Sequence, residues 1–191
     1  MIQTYIEQST NKVRHVIELA IGEMAALKQN TLTPDFILLA LLSQPDSDAI
    51  KILKQLIPNL IEVVARLKGE IFQQYQRPVE SKQSQLLASE ELEEMFKVAF
   101  EEGQRLGDDY VSTGTLFLAL FDPKSGHAAA CLKNIGINRQ QALGALKRIR
   151  GGQKITSEDT EAETDTLSKY TQDLTEMARN GELDPVIGRD E

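Results

Sequence analysis

Apolar and polar positions follow a helical period along most of this chain, and the pattern occurs twice. Val13, Val16, Ile17, Ala20, Ile21, Met24 and Leu27 recur at steps of three and four. They predict one long amphipathic helix, capped by Ser9 or Thr10 and ending at Asn30-Thr31. Thr33 is placed to cap a second helix, with Pro34 in its first turn, where a missing N–H costs nothing. From Phe36 to Leu42 this helix is apolar on nearly every side, so it must lie at the centre of the structure. Pro45-Asp46-Ser47 predicts a turn and Asp48 a cap for a short helix over Ala49 to Leu56. After Pro58-Asn59, the positions Leu60, Val63, Val64, Leu67 and Ile71 mark a fourth helix. From Gln73 to Ser84 the periodicity dissolves into a connector.

The same plan then returns at a constant offset of 79 residues, placing Thr10 on Ser89, Ala20 on Ala99, Thr33 on Ser112, Leu53 on Leu132 and Leu67 on Leu146. Leu92, Met95, Phe96, Ala99 and Leu106 stripe the second long helix, which the Gly107-Asp108-Asp109 turn stops. Thr115 to Phe121 is the second apolar helix, Ala128 to Leu132 belong to a third ended by Gly136, and Asn138 caps a fourth carrying Ala142, Leu143, Leu146 and Ile149. The expected fold is all-α, a tandem pseudo-two-fold repeat of two four-helix units, copy one over about 9–72 and copy two over about 89–150.

Composition narrows the function classes. A formal net charge of -8 offers nothing to neutralise a phosphate backbone, which argues against nucleic acid. No apolar run approaches a membrane span, and the start lacks the regions of a signal peptide. One cysteine, Cys131, excludes an internal disulfide and fits a reducing, cytoplasmic compartment. His15 and His127 fall on different copies without a metal-ligand set around them, and His15 is expected as a solvated helix residue. Cys131, among Ala129, Ala130 and Leu132, is expected as a small buried hydrophobe. Glu90, Glu91, Glu93, Glu94, Glu101 and Glu102 read as the wet face of the second long helix. No G-x-x-x-x-G-K-[ST] phosphate loop occurs, so no cofactor-binding, metal or catalytic residue is assigned to these residues.

At Gly151-Gly152 the composition shifts. Glu158, Asp159, Glu161, Glu163 and Asp165 occur with no base among them, and residues 151–166 are expected as an acidic, flexible linker. Leu167, Tyr170, Leu174 and Met177 then predict one short helix with Gly181 as its stop. Leu183-Asp184-Pro185-Val186-Ile187-Gly188-Arg189 carries apolar residues with no partner element after them, which suggests a chain that continues.

The duplicated unit resembles the amino-terminal repeat domain of the Clp/Hsp100 AAA+ unfoldases. Lys169-Tyr170-Thr171-Gln172-Asp173-Leu174-Thr175 and Gly181-Glu182-Leu183-Asp184-Pro185-Val186-Ile187-Gly188-Arg189 resemble the entry to their first ATPase domain, so residues 167–191 are expected as its truncated start. The wording around Arg150-Gly151-Gly152-Gln153 is most similar to the ClpB branch, the disaggregases, with the protease-linked ClpC and ClpA and the secretion-associated ClpV branches as alternatives.

The resemblance implies a non-enzymatic, monomeric module that binds unfolded or aggregated polypeptides or adaptor proteins. It would hand clients to a homohexameric parent that uses ATP and magnesium. It also implies a peptide-binding set of Thr10, Asp108, Val98 on an apolar wall, and Tyr110 at the rim. Thr10 is equally readable as an ordinary N-cap worth ~1 kcal/mol, and Asp108 as a turn former. Two positions depart from the family pattern. Gly114 stands where an acid is usual, although copy one keeps Asp35, and Glu102 stands where the groove is usually apolar.

Overall fold

A computed structural model describes residues 2–80 and 86–161 of the 191-residue chain. Helix α1 (Ile2–Glu7) leads into α2 (Asn11–Ala26), strand β1 (Thr31–Leu32), α3 (Pro34–Leu42), α4 (Asp48–Leu56) and α5 (Leu60–Gln74). Strand β2 (Leu87–Ala88), α6 (Glu90–Leu106), α7 (Thr113–Leu120), a 3₁₀ turn (Pro123–Ser125), α8 (His127–Lys133) and α9 (Arg139–Arg150) repeat the order. All of α3 and all of α7 is buried, and the two helices touch each other at the middle of the domain. Their flanks are covered by the apolar faces of the longer helices, with Val13, Val16 and Ala20 on α2 and Leu92, Met95, Phe96 and Ala99 on α6 inside one continuous aliphatic core.

The 79-residue offset is visible in backbone geometry. β1 pairs in parallel with β2 through Leu32 and Ala88, while Ser9 bridges Val111 in parallel. Ser9 and Ala88 are counterparts, as are Leu32 and Val111. Each copy therefore lends the residue before its long helix to the residue before the other copy's central helix. The end of the long helix is also duplicated. Gln29 N–H donates to Met24 O (3.0 Å) and Lys28 is left-handed (φ 55°); Asp108 N–H donates to Gly103 O (2.8 Å) and Gly107 is left-handed (φ 83°). This is the six-to-one closure of a helix end, adopted by glycine in one copy and lysine in the other.

Caps follow the hydroxyl and amide positions with three exceptions, one of them Asn59, which starts α5 without a side-chain cap. Thr10, Ser89, Ser112 and Asn138 each accept a hydrogen bond from the third residue of the helix they start, and Ser112 and Asn138 form reciprocal capping boxes. Ser47, not Asp48, caps α4, because Asp48 lies one residue inside the helix. Thr33 makes no side-chain cap; its hydroxyl lies 2.8 Å from Tyr75 Oη instead. Helix α1 was not expected from sequence. Ile2, Tyr5 and Ile6 fall on one side of it and pack on the core, with the Tyr5 ring 5.9 Å from that of Phe100.

The expected acidic linker behaves differently through residue 161. Ile155 is buried, its N–H donates to Asp108 Oδ1 (3.0 Å), and its carbonyl accepts from Asp109 N–H (2.8 Å). Farther along, Glu158 O accepts from Asn11 N–H (2.9 Å), while its carboxylate pairs with Arg14 (3.2 Å). Charge density predicts extension only where the charges face water; here Arg14 and free backbone donors of the folded repeats meet them. Residues 162–166 of that linker, and the short helix and ATPase entry expected over 167–191, lie outside the described residues.

Candidate peptide-binding site

The four residues expected to bind peptide fall into two regions. Thr10, Asp108 and Tyr110 lie along the strip where Ser9 meets Val111. Thr10 is fully buried: its Oγ1 accepts from Val13 N–H (3.2 Å) and donates to Glu161 Oε2 (2.7 Å). Asp108 is also buried and receives both carboxylate contacts from Arg150 Nη1 at 2.8 Å. Tyr110 is half-buried. Residues 155–161 cover Thr10 and Asp108, so neither is open to a peptide in this arrangement.

Val98 belongs to the other region. It is half-buried and packs against the core, not fully exposed as its position off the main stripe suggests. Glu94 and Glu102 flank it one turn away on each side of α6. Glu94 reaches Lys124 on the 3₁₀ turn (3.9 Å), and Glu102 accepts from Arg139 Nε at the start of α9 (2.8 Å). This face of α6 therefore points toward the ground between the 3₁₀ turn and α9. A cleft of about 410 Å³ opens there, with a floor of Phe121, Pro123, Ala129, Ala130 and Ile137 and an edge of Lys133, Asn138 and Arg139. An apolar floor with a few polar groups at its rim suits the capture of extended apolar segments.

Glu102 corrects the reading of the α6 glutamates as a uniformly wet face. It is buried, and besides Arg139 it accepts from Arg105 Nη1 (3.2 Å). The carboxylate fixes Arg139 at the cleft edge; a buried acid survives only with such partners. Sequence reasoning missed Arg139 because its importance depends on a partner 37 residues away.

At the junction on the other side of the domain, α8 meets α3. His127 Nδ1 lies 3.0 Å from Asp35 Oδ2, which also accepts from Tyr75 Oη (2.6 Å). Cys131, one turn from His127 on α8, has its sulfur 3.6 Å from Nε2. His127 thus has Cys131 of its own helix and Asp35 of the other copy beside it: the four-residue spacing is visible in sequence, and the fold adds Asp35. No group of three or more metal-holding side chains occurs among the described residues. Burial first, then Glu70, pushes the Cys131 thiol up to about 12, so it stays protonated and inert, in keeping with its expected structural role. Burial and the Asp35 charge likewise raise the Tyr75 hydroxyl, keeping it a donor.

With this geometry in view, likeness to known proteins is informative. The family described as the Clp repeat (R) N-terminal domain matches residues 8–135. The chain belongs to the Clp N-terminal repeat family. Among curated relatives of this Clp N-domain, the chaperone protein ClpB of Bdellovibrio bacteriovorus is 32% identical over 182 residues, 95% of this chain and 21% of the relative. Chaperone protein ClpB 1 of Nostoc sp. is 34% identical over the same share of this chain and 20% of its own length. The chain thus spans about a fifth of the length of these relatives.

Solved structures share the fold. The Hsp104 N-terminal domain from Candida albicans superposes with a TM-score of 0.69 at 16% identity, covering 81% of this chain and 99% of that one. A ClpV N-domain in complex with a VipB peptide gives 0.64 at 21% identity, covering 83% and 94%. Among the described residues no helix is long and apolar enough to cross a membrane.

Proposed function

We propose that this Clp N-domain is the polypeptide-receiving module of a ClpB-like, ATP-driven disaggregase or unfoldase, acting in the cytoplasm. It binds unfolded or aggregated segments in the cleft between the 3₁₀ turn, α8 and the start of α9 and passes them to a hexameric ATPase ring. The cleft itself carries this reading: an apolar floor of about 410 Å³, edged by Lys133 and an Arg139 held in place by Glu102 of α6. Burial of apolar surface is non-directional, so such a floor accepts many sequences. A shallow site gives weak capture, which suits a module that must release its client. The module is non-catalytic in this reading. Its Lys124-Ser125 pair follows Asp122-Pro123 and not the glycines of a phosphate loop, so in this reading ATP and magnesium belong to the parent's ATPase domains.

A second reading, an N-domain that docks one defined peptide or adaptor as in the ClpV or ClpC/ClpA branches, draws support from the fold it shares with the ClpV N-domain in complex with a VipB peptide. Titration of the isotope-labelled, monomeric chain separates the two. Unrelated unfolded proteins should shift the same cleft amides with micromolar or weaker affinity, and Val98→Asp should abolish the shifts. Binding restricted to one peptide sequence favours the second reading. Absence of any shift refutes both.

A further inference from the structure

A second surface of the domain already holds a ligand, and that ligand is the chain itself. The N-termini of α2 and α7 converge beside the Ser9–Val111 bridge. One carboxylate of Glu161 is seated there, accepting from Thr10 Oγ1 (2.7 Å), from Thr113 N–H (3.0 Å) and from the Thr113 hydroxyl. Helix N-termini offer backbone donors without a partner inside the helix, and here a carboxyl group takes them and is fully enclosed. Three residues earlier, Glu158 meets Arg14, and three before that, Ile155 is buried against the Asp108–Asp109 turn. Two further contacts, Asn11 N–H to Glu158 O and Asp109 N–H to Ile155 O, use backbone donors that are blind to side-chain identity, and the Asn11 side-chain amide donates to Asp159. The surface thus reads an apolar residue followed at the third and sixth positions by acids.

We propose that this junction is a receptor for extended acidic segments with that spacing, and that residues 155–161 are its occupant in cis, covering it until a competing segment or the movement of the tail exposes it. The occupant is specified by the contacts: Arg14 requires an acid at the middle position, and the Thr10–Thr113 pocket is lined by donors. Asp48 N–H donates to Thr113 Oγ1 (3.2 Å) and so holds the hydroxyl that faces Glu161. The proposal extends the peptide-receiving reading to a second, electrostatically distinct surface and does not use the apolar cleft.

The test uses the whole chain carrying Ile155→Asp and Glu161→Lys, which removes both ends of the internal ligand, and a synthetic peptide of residues 152–161. The peptide should saturably shift the Asn11 and Thr113 amides of this variant. It should bind the unaltered chain at least about tenfold more weakly, because a tethered ligand competes at high effective concentration. A peptide with lysine at the last position should bind neither chain. Val98→Asp, introduced into the double variant, should leave peptide binding unchanged, which separates this proposal from the cleft reading. No binding to a double variant whose circular dichroism matches the parent, equal binding by both chains, or equal binding of the lysine peptide would each overturn it.

Discussion

The two junctions between the repeats start from equivalent positions and solve the same problem with different chemistry. At the first, Asp35 at the start of α3 meets His127 from the other copy and Tyr75 from the connector after α5. At the second, Gly114 replaces the acid, and Asp48, the counterpart of His127, lies close by: its Oδ2 is 3.0 Å from where a Cβ on Gly114 would stand. The carboxylate has moved across the interface, and the tail after α9 supplies Glu161 where the connector after α5 supplied Tyr75. A duplicated scaffold therefore fixes where helix starts converge, while single substitutions decide what fills the convergence. A side chain at Gly114 would meet Leu146 and Asp48, which fill the space beside it.

Substitutions that exchange the two junctions' chemistry test this directly. The largest effect is expected at Arg150, whose first-copy counterpart is the buried Ile71. Arg150→Ile strands the fully enclosed Asp108 without its cation and should cost about 3–5 kcal/mol, read as a lowered midpoint in denaturant unfolding. Gly114→Asp, which copies Asp35 into the second junction, places its Cβ 2.6 Å from Leu146 Cδ1 and a charge against Asp48. It should destabilise by about 2–3 kcal/mol, and Leu146→Ala should cost less in that chain than in the parent, because there it also removes the clash. Full additivity of the two changes in a double-mutant cycle would show that the clash is not the cause.

The second junction should respond to mild changes of pH through its carboxylates. Burial, then the charge of Asp48, raises Glu161 from 4.5 to about 7, against the hydrogen bonds from Thr113 and Thr10 and the charge of Lys12. Asp48 is raised by burial too, opposed by Lys51, Lys12 and Arg150 and aided by Asp46. A carboxyl raised in the docked state binds more protons there than when released. Docking is therefore strongest below about pH 4.5, declines as pH rises to about 7, and is level above that. The Asn11 and Thr113 amide shifts should follow this course in the parent and lose it in Glu161→Gln. A parent profile that is flat from pH 4.5 to 7 would contradict the assignment. The smallest expected effect is at the duplicated helix ends: Lys28→Gly, copying Gly107, relieves a left-handed lysine and should stabilise by about 0.5–1 kcal/mol in thermal unfolding.

Much of this was legible in the chain. The all-α repeat, its offset, the buried central helices and most caps follow from periodicity and from hydroxyl residues at helix starts, both of them local signals. The junctions were not legible, because Asp35–His127, Glu102–Arg139 and Thr10–Glu161 each join residues 37 to 151 positions apart. The docking of residues 155–161 was hidden for the same reason: an acidic run looks solvent-bound until its donors, Arg14 and the Asn11 and Thr113 amides, are placed against it. Of the expected peptide-binding residues, Val98 lies half-buried on α6 against the core, whereas Thr10 and Asp108 are engaged by the chain's own tail.

The peptide-receiving role is tested most directly by methyl and amide NMR of the labelled chain titrated with a chemically unfolded, unrelated protein. The account predicts fast-exchange shifts concentrated at Val98, Phe121, Ala129, Ala130 and Ile137, with Asn11 and Thr113 unmoved, and no response in Val98→Asp. Shifts that spare the cleft, or that persist unchanged in that variant, would contradict it.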